Sequence, residues 1–260
     1  PRIAKKSINF KKLTKQNKFN NISSYLNTFA PNTNPPLGAL LSTGKDSIFA
    51  LYTMLQQNYP IKCLITVNSK NKDSYMLHTP TIDLAKLQAK AMNIPLIEVT
   101  TQGKKEQELK DLKKAIQKAK KEYQIEGIVS GALYSTYQRD RIEKIADSLA
   151  LKIFSPLWHI NQQNYMQDLI KAKFEVIITK IAAEGLDKSW LGKKITLKTL
   201  NELKELNKKN NIHLTGEGGE MESLVLDCPI FKKKIVVVKA DKHMDTTNTG
   251  VLDIITAKLA

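Results

Sequence analysis

The sequence predicts an α/β fold built on a parallel sheet, and three observations carry that prediction. Past Pro36, short apolar runs alternate with longer stretches of helical period, which is how strands joined by crossover helices read. The first apolar run is followed by a loop of hydroxyls, one glycine and a lysine, then by a helix, where a parallel sheet keeps its ligand crevice. At 260 residues the chain can bury about 70–75% of the surface it exposes when unfolded, so a large core can form.

Residues 37–41 read as a buried first strand. A helix follows over 46–57, with Ile48, Leu51, Tyr52 and Leu55 at the spacing of one apolar face. Residues 61–67 are the second strand. A helix over about 81–92, a strand over 95–99 and a charged helix over about 105–123 come next, the last expected to cover the sheet with one narrow apolar stripe. Residues 127–130, a helix over about 138–149 and residues 153–156 complete five strands, with right-handed crossovers expected. A helix near 164–173, a strand over 174–181 and a helix over about 197–209 continue the rhythm. The character then changes: residues 216–222 are rich in glycine and glutamate, and 224–226, 235–238 and 251–257 read as strands. A boundary near His159 divides the chain into a basic leader (1–36), a ligand-binding α/β domain (37–159) and a smaller mixed α/β domain (160–260).

Lys and Arg number 41 against 25 Asp and Glu, a formal charge of +16. Seven of these cations (Arg2, Lys5, Lys6, Lys11, Lys12, Lys15 and Lys18) lie in residues 1–36 with no acid, and the 34 that remain leave +9 on the rest. Nearly half the excess therefore belongs to a Lys/Asn/Ser-rich leader whose composition predicts disorder, and whole-chain charge overstates a nucleic-acid reading of the body. Cys63 and Cys228 form one distant pair without a Cys-x-x-Cys partner, which excludes a disulfide scaffold and a cysteine-only zinc site; a reducing, cytoplasmic setting is the expectation. No apolar run approaches the roughly 18–20 residues of a membrane span, so no membrane partner is expected.

The loop after the first strand is Ser42-Thr43-Gly44-Lys45-Asp46-Ser47. A helix amino terminus offers unpaired N–H groups and partial positive charge to an anion. Gly44 allows close backbone approach, Ser42, Thr43 and Ser47 add hydroxyls, and Lys45 adds a cation. Together they make a cradle for phosphate or pyrophosphate. It is not a Walker A loop, because five residues separate Gly38 from Gly44 and Asp46 follows Lys45. An acid in such a loop is explained by a metal or by helix capping, so Asp46 is the candidate magnesium ligand. Each residue alone would pass for ordinary capping; the six together, between strand and helix, read as a nucleotide site.

That arrangement resembles the Ser-Gly-Gly-x-Asp-Ser loop of the ATP pyrophosphatases, the PP-loop superfamily, which cleave ATP to AMP and pyrophosphate while activating a carbonyl or carboxylate. Gly216-Glu217-Gly218-Gly219-Glu220-Met221-Glu222, continuing to Pro229, resembles the Glu-Gly-Gly-Glu-x-Glu signature of the diphthine–ammonia ligase family. Asp73-Ser74-Tyr75-Met76 with His78, Gly131-Ala132 with Tyr137-Gln138-Arg139, and Ala183-Glu184-Gly185-Leu186-Asp187 with Trp190-Leu191-Gly192 are similar to further stretches of that family. The resemblance runs from about Leu37 to Val238. It implies a parallel-sheet, adenine-nucleotide α-hydrolase-like (PP-loop) domain with a smaller mixed α/β carboxy-terminal domain. It also implies ATP and Mg2+ as cofactors, and amidation of the diphthine carboxylate of translation elongation factor 2 by free ammonium through an acyl-adenylate. ATP would then lie across Ser42 to Ser47, with Gly131 and Arg139 beside it and adenine near Val67 and Asn68. Lys45 and Asp46 would be catalytic, and His78, Gln138, Arg141, Gly218 and Gly219 would face the protein substrate. The family has Gly where this chain has Thr43, and a β-branched residue is strained if that position needs a left-handed backbone.

Glu217, Glu220 and Glu222 are expected to aim their carboxylates at a common point, where a cation must neutralise them. Diphthine carries a trimethylammonium group, and the nitrogen donor arrives as ammonium that must lose a proton. One carboxylate is expected to hold a cation and another to act as base, with the assignment open and a solvated acidic turn as the alternative. Arginine occurs only at Arg2, Arg139 and Arg141, and the planar fork of Arg139, with Arg141, suits phosphate or carboxylate; a helix-surface ion pair is the competing expectation. His159, His213 and His243 read as structural or surface residues, and both cysteines as buried packing. Two rival functions remain. A PP-loop enzyme adenylating a tRNA base suits the charge but is opposed by the glutamate signature and the lack of a catalytic cysteine pair; a non-catalytic ATP-binding module is the other.

Overall fold

The computed structural model describes residues 34–69, 82–101 and 105–260; residues 1–33 of the leader, His78 and the Asp73-Ser74-Tyr75-Met76 stretch lie outside the described residues. Five apolar runs become β1 (Leu37–Leu40), β2 (Ile61–Ser69), β3 (Leu96–Thr101), β4 (Gly127–Val129) and β5 (Lys152–Phe154). They pair in parallel in the order β3-β2-β1-β4-β5. The crossovers are α1 (Lys45–Gln56), α2 (Ile82–Met92), α3 (Lys105–Tyr123) and α4 (Thr136–Ser148).

The chain winds outward from β1 to β3, then returns past β1 to β4 and β5. Crossovers of one hand must change face when the direction reverses. The core records that change: α1 and α2 bury Ile48, Leu51, Leu84 and Ala89 in one apolar cluster, whereas α3 and α4 bury Leu112, Ile116, Ile142 and Ile145 in another. The chain therefore leaves β1 and β4 on opposite faces, which opens a crevice at their carboxyl ends. α3 has the expected narrow stripe, with Leu112, Ala115, Ile116 and Ala119 buried and Lys113, Lys114, Gln117 and Lys118 exposed. α4 begins at Thr136, before the expected start, because the Ser135 side chain accepts the Gln138 N–H and caps the helix.

Beyond α5 (Gln162–Lys171) come β6 (Glu175–Ala182), a short 3₁₀ turn over Lys188–Trp190, α6 (Leu197–Asn210), β7 (Met221–Asp227), β8 (Ile235–Met244) and β9 (Thr249–Leu259). The four strands form an antiparallel sheet in the order β7-β6-β9-β8. β8 runs well past the expected 235–238. Its second half contains Lys239, Asp241, Lys242 and His243, and is held as strand by backbone pairing with β9 rather than by apolar burial.

α1 packs on β1 and β4 and also on β7, and α2 contacts β2, β8 and β9. Lying between two sheets, α1 buries Phe49, Ala50 and Met54 besides the predicted Ile48 and Leu51, so its apolar surface is wider than one face. The same packing sets the loop between β1 and α1 against β7. Cys63 and Cys228 are buried, and burial pushes each thiol up to about 12, so both stay protonated and inert. Among the described residues no helix is long and apolar enough to cross a membrane.

Candidate active site

Thr43 makes the turn between β1 and α1 at φ +65, the left-handed region. Its carbonyl accepts from Gln88 Nε2 at 3.0 Å and from the Val225 N–H at 3.2 Å. Gln88 is fully buried on α2 and also donates to the Val225 carbonyl at 2.9 Å, so α2 and β7 together hold the strained turn. Gly44 is extended, with φ −79, and what it needs is space: a Cβ there would lie 3.3 Å from the Ser223 carbonyl oxygen. Ser223 Oγ takes the Lys45 N–H at 3.2 Å, while Ser47 Oγ accepts from the Ser42 N–H at 3.2 Å and donates to the Gly44 carbonyl at 3.1 Å. From the other side of the crevice Gly131 presses on α1: a Cβ on it would lie 2.7 Å from the Asp46 carbonyl carbon and 2.7 Å from the Ser47 nitrogen.

Left-handed backbone at a β-branched residue costs roughly 1–2 kcal/mol, and the added freedom of glycine in the unfolded chain costs about 0.5–1 kcal/mol. Thr43→Gly is therefore expected to leave stability within about 1 kcal/mol of the parent and ATP affinity equal or better. Calorimetric titration checks it, and a large loss of affinity contradicts it.

Lys45 and Asp46 occupy places that spacing did not foretell. Lys45 is only 4% exposed, and its Nζ donates to Asp46 Oδ2 at 2.9 Å and to the Thr215 carbonyl at 2.6 Å. Asp46 Oδ1 accepts from the Tyr165 hydroxyl at 2.8 Å. Tyr165 is fully buried on α5, and burial, with the Asp46 charge beside it, raises its hydroxyl well above the ordinary range, so it remains a donor. Each Asp46 oxygen thus already accepts one hydrogen bond. Among the described residues no group of three or more His, Cys, Asp or Glu is placed to hold a metal ion, so the chain alone offers no ready-made cage.

The expected convergence of three glutamates does not occur. Gly219 turns at φ +89, and each carboxylate finds a partner of its own. Glu220 Oε1 folds back to accept the His213 N–H at 3.0 Å, and Gly218 leaves the room this needs, since a Cβ there would lie 2.7 Å from that oxygen. Glu222 pairs across the β6–β7 ladder with Lys180 Nζ at 3.1 Å. Glu217 alone turns toward the crevice. It accepts the Tyr134 N–H at 3.3 Å and the Ser135 N–H, at the amino terminus of α4. Burial first, and then the Asp46 charge, raise its carboxyl above the usual range, while the backbone donors and Lys45 oppose the shift.

The remaining predicted residues are scattered. Val67 and Asn68 are buried near the carboxyl end of β2, with no hydrogen-bond partner for Asn68 Nδ2 among the described residues. Gln138 lies in the first turn of α4. Arg139 pairs with Glu143 at 2.5 Å and lies over the Trp158 ring at 4.6 Å; Arg141 donates to the Tyr137 carbonyl at 3.1 Å and stacks on its ring. Arg139 thus makes the helix-surface ion pair of the competing expectation, whereas Arg141 is held by the Tyr137 carbonyl and ring. Sequence reasoning missed Tyr165, Thr215, Gln88 and Tyr134. A lone tyrosine or glutamine within a helical pattern carries no local signal, because its partner is set by distant packing.

The family described as Diphthamide synthase N-terminal domain matches residues 37–153, and the Diphthamide synthase C-terminal domain family matches residues 161–260. The second match continues past Val238, where the motif resemblance stopped, through β8 and β9, which carry no motif. The Diphthine–ammonia ligase of Rattus norvegicus is 37% identical over 223 residues, covering 77% of this chain and 82% of the relative. That of Mus musculus is 35% identical over 234 residues, covering 82% and 86%. A solved structure, a predicted subunit of tRNA methyltransferase from Methanocaldococcus jannaschii, aligns with a TM-score of 0.37 and 17% identity over 67% of this chain and 87% of that one.

Proposed function

This chain belongs to the diphthine–ammonia ligase family of ATP-dependent amide-forming ligases, and from that premise we propose that it amidates the diphthine carboxylate of translation elongation factor 2 through an acyl-adenylate. The observation that carries the site assignment is the approach of Glu217, from the loop before β7, to the amino terminus of α4 beside the nucleotide loop. Residues 37–159 supply the ATP site in this reading and residues 160–260 the acidic turn. The orphan amide of Asn68, with Val67, suits the adenine ring.

The diphthine carboxylate attacks the α-phosphorus, forming the acyl–phosphate bond as pyrophosphate leaves. The α1 amino terminus, the Gly44 backbone and the hydroxyls of Ser42, Thr43 and Ser47 receive the charge that develops on the leaving group. Lys45 acts from behind the loop, keeping Asp46 and the Thr215 carbonyl in place. Ammonia then attacks the acyl carbon, the carbon–nitrogen bond forms, and collapse expels AMP. Ammonium sheds one proton before attack and the adduct a second on collapse; Glu217 is the acidic-turn carboxylate oriented to accept a proton. Glu220 shapes the turn and Glu222 ties β7 to β6 through Lys180, while Gln138, Arg141, Gly218 and Gly219 are assigned to the protein-substrate side. Asp46 is the loop carboxylate that would hold Mg2+, which when bound with ATP would supply charge neutralisation at the phosphates. A cytoplasmic setting completes the reading.

Product analysis tests it. Purified protein with ATP, magnesium and ammonium is expected to form AMP only when elongation factor 2 bearing diphthine is present, with the small mass decrease of amidation in that factor. ATP binding without AMP under those conditions contradicts the substrate assignment.

A further inference from the structure

Three rings form a row that starts at Tyr134, whose backbone binds Glu217. The Tyr134 backbone N–H donates to that carboxylate, the Tyr134 ring packs on His159 with centroids 5.4 Å apart, and His159 packs on Trp158 at 4.8 Å. The row is held in place: the Tyr134 hydroxyl donates to the Ile160 carbonyl, the His159 N–H donates to the Leu133 carbonyl at 2.9 Å, and His159 sits at φ +56. It is not core, for Tyr134 and Trp158 are half-buried and His159 is exposed. Its far end already carries a cation, the Arg139 guanidinium over Trp158 at 4.6 Å, tethered by Glu143. Partly exposed rings on the segment whose backbone binds a carboxylate suit a quaternary ammonium, which donates no hydrogen bond and is held by ring quadrupoles and charge.

We propose that Tyr134, His159 and Trp158, with Glu217, form a quaternary-ammonium-binding wall that orients the acceptor. This rests on the ligase reading, since the trimethylammonium and the reacting carboxylate of diphthine share one carbon. A site for the cation must therefore adjoin the place where the carboxylate meets ATP. The segment between β4 and α4 satisfies that demand: Gly131 abuts Asp46 and Ser47 in the nucleotide loop, and Tyr134 follows three residues later.

The probe is betaine, N,N,N-trimethylglycine, which carries the cation and the carboxylate on one carbon. It is compared with 3,3-dimethylbutanoate, which has the same shape with neutral carbon in place of nitrogen. Equilibrium dialysis of labelled betaine against the full chain, with the neutral acid as competitor, is expected to give about a tenfold preference for betaine. Tyr134→Leu and Trp158→Leu are expected to reduce the preference to less than about threefold with ATP affinity unchanged, whereas Tyr134→Phe, which keeps the ring, retains it. Equal affinity of the parent chain for both acids, or an undiminished preference in Tyr134→Leu, overturns the proposal. The two readings fail separately. A chain that prefers betaine but forms no AMP with diphthine-bearing elongation factor loses the ligase reading. One that forms AMP without preferring betaine loses only the aromatic wall.

Discussion

Glu217→Gln is expected to lower amidation by about 10²-fold or more while leaving the fold at neutral pH as stable as the parent, or more so. The carboxyl is held above its ordinary range chiefly by burial and then by Asp46. An acid with a raised folded pKa binds more protons folded than unfolded between the two pKa values. Stability therefore falls as pH rises through that window, and the whole deficit is present above the folded pKa. Glutamine keeps an oxygen for the Tyr134 N–H and removes the charge. The difference in melting temperature, variant minus parent, is thus expected near zero below about pH 4 and positive above the window. Thermal melts across pH test stability, and initial rates of AMP formation test activity. Parent-level turnover in the variant would remove Glu217 from the chemistry.

The second large effect is expected at Gly131. The atoms a Cβ would meet there, the Asp46 carbonyl carbon at 2.7 Å, its oxygen at 2.8 Å and the Ser47 nitrogen at 2.7 Å, are all backbone, so no side-chain rotation relieves them. Overpacking of this kind typically costs about 1–3 kcal/mol, which for a chain of this size is a drop of about 3–10 °C in melting temperature. The atoms displaced are the first turn of α1, whose N–H groups would bind phosphate, so Gly131→Ala is also expected to weaken ATP binding by about tenfold. Gly44→Ala serves as the comparison: its Cβ would meet the Ser223 carbonyl at 3.3 Å and so requires a smaller adjustment. Parent-like ATP affinity in Gly131→Ala would show that this close approach does not hold the loop.

The strand, turn and helix over residues 37–56 were legible because their signal is local: a buried strand, six polar or small residues and an amphipathic helix are contiguous. Even the strain of the turn could be anticipated, for Thr43 stands at the left-handed position where the resembling family has glycine. What holds the loop was not legible. Tyr165 reaches Asp46 across 119 residues and Lys45 reaches the Thr215 carbonyl across 170, and neither pairing leaves a periodicity. The glutamates illustrate the opposite error. Closeness in sequence suggested one shared cation. Yet Glu222 lies within β7 and faces its cross-strand neighbour Lys180, Glu220 closes the turn, and only Glu217 precedes the turn on the crevice side. The rarity of arginine did not foretell its partners: Arg139 pairs with Glu143 and lies over Trp158, and Arg141 stacks on Tyr137. In β8 the polar second half concealed a strand that backbone pairing with β9 creates.

The central claim, that the crevice between β1 and β4 activates a carboxylate as its adenylate, is tested most directly by isotope transfer. Elongation factor 2 whose diphthine carboxylate is labelled with oxygen-18 is incubated with the protein, ATP, magnesium and ammonium, and the nucleotide products are weighed by mass spectrometry. The account predicts one labelled oxygen in AMP for each amide formed and none in pyrophosphate. Amide formation with unlabelled AMP, or with label in pyrophosphate, would contradict it.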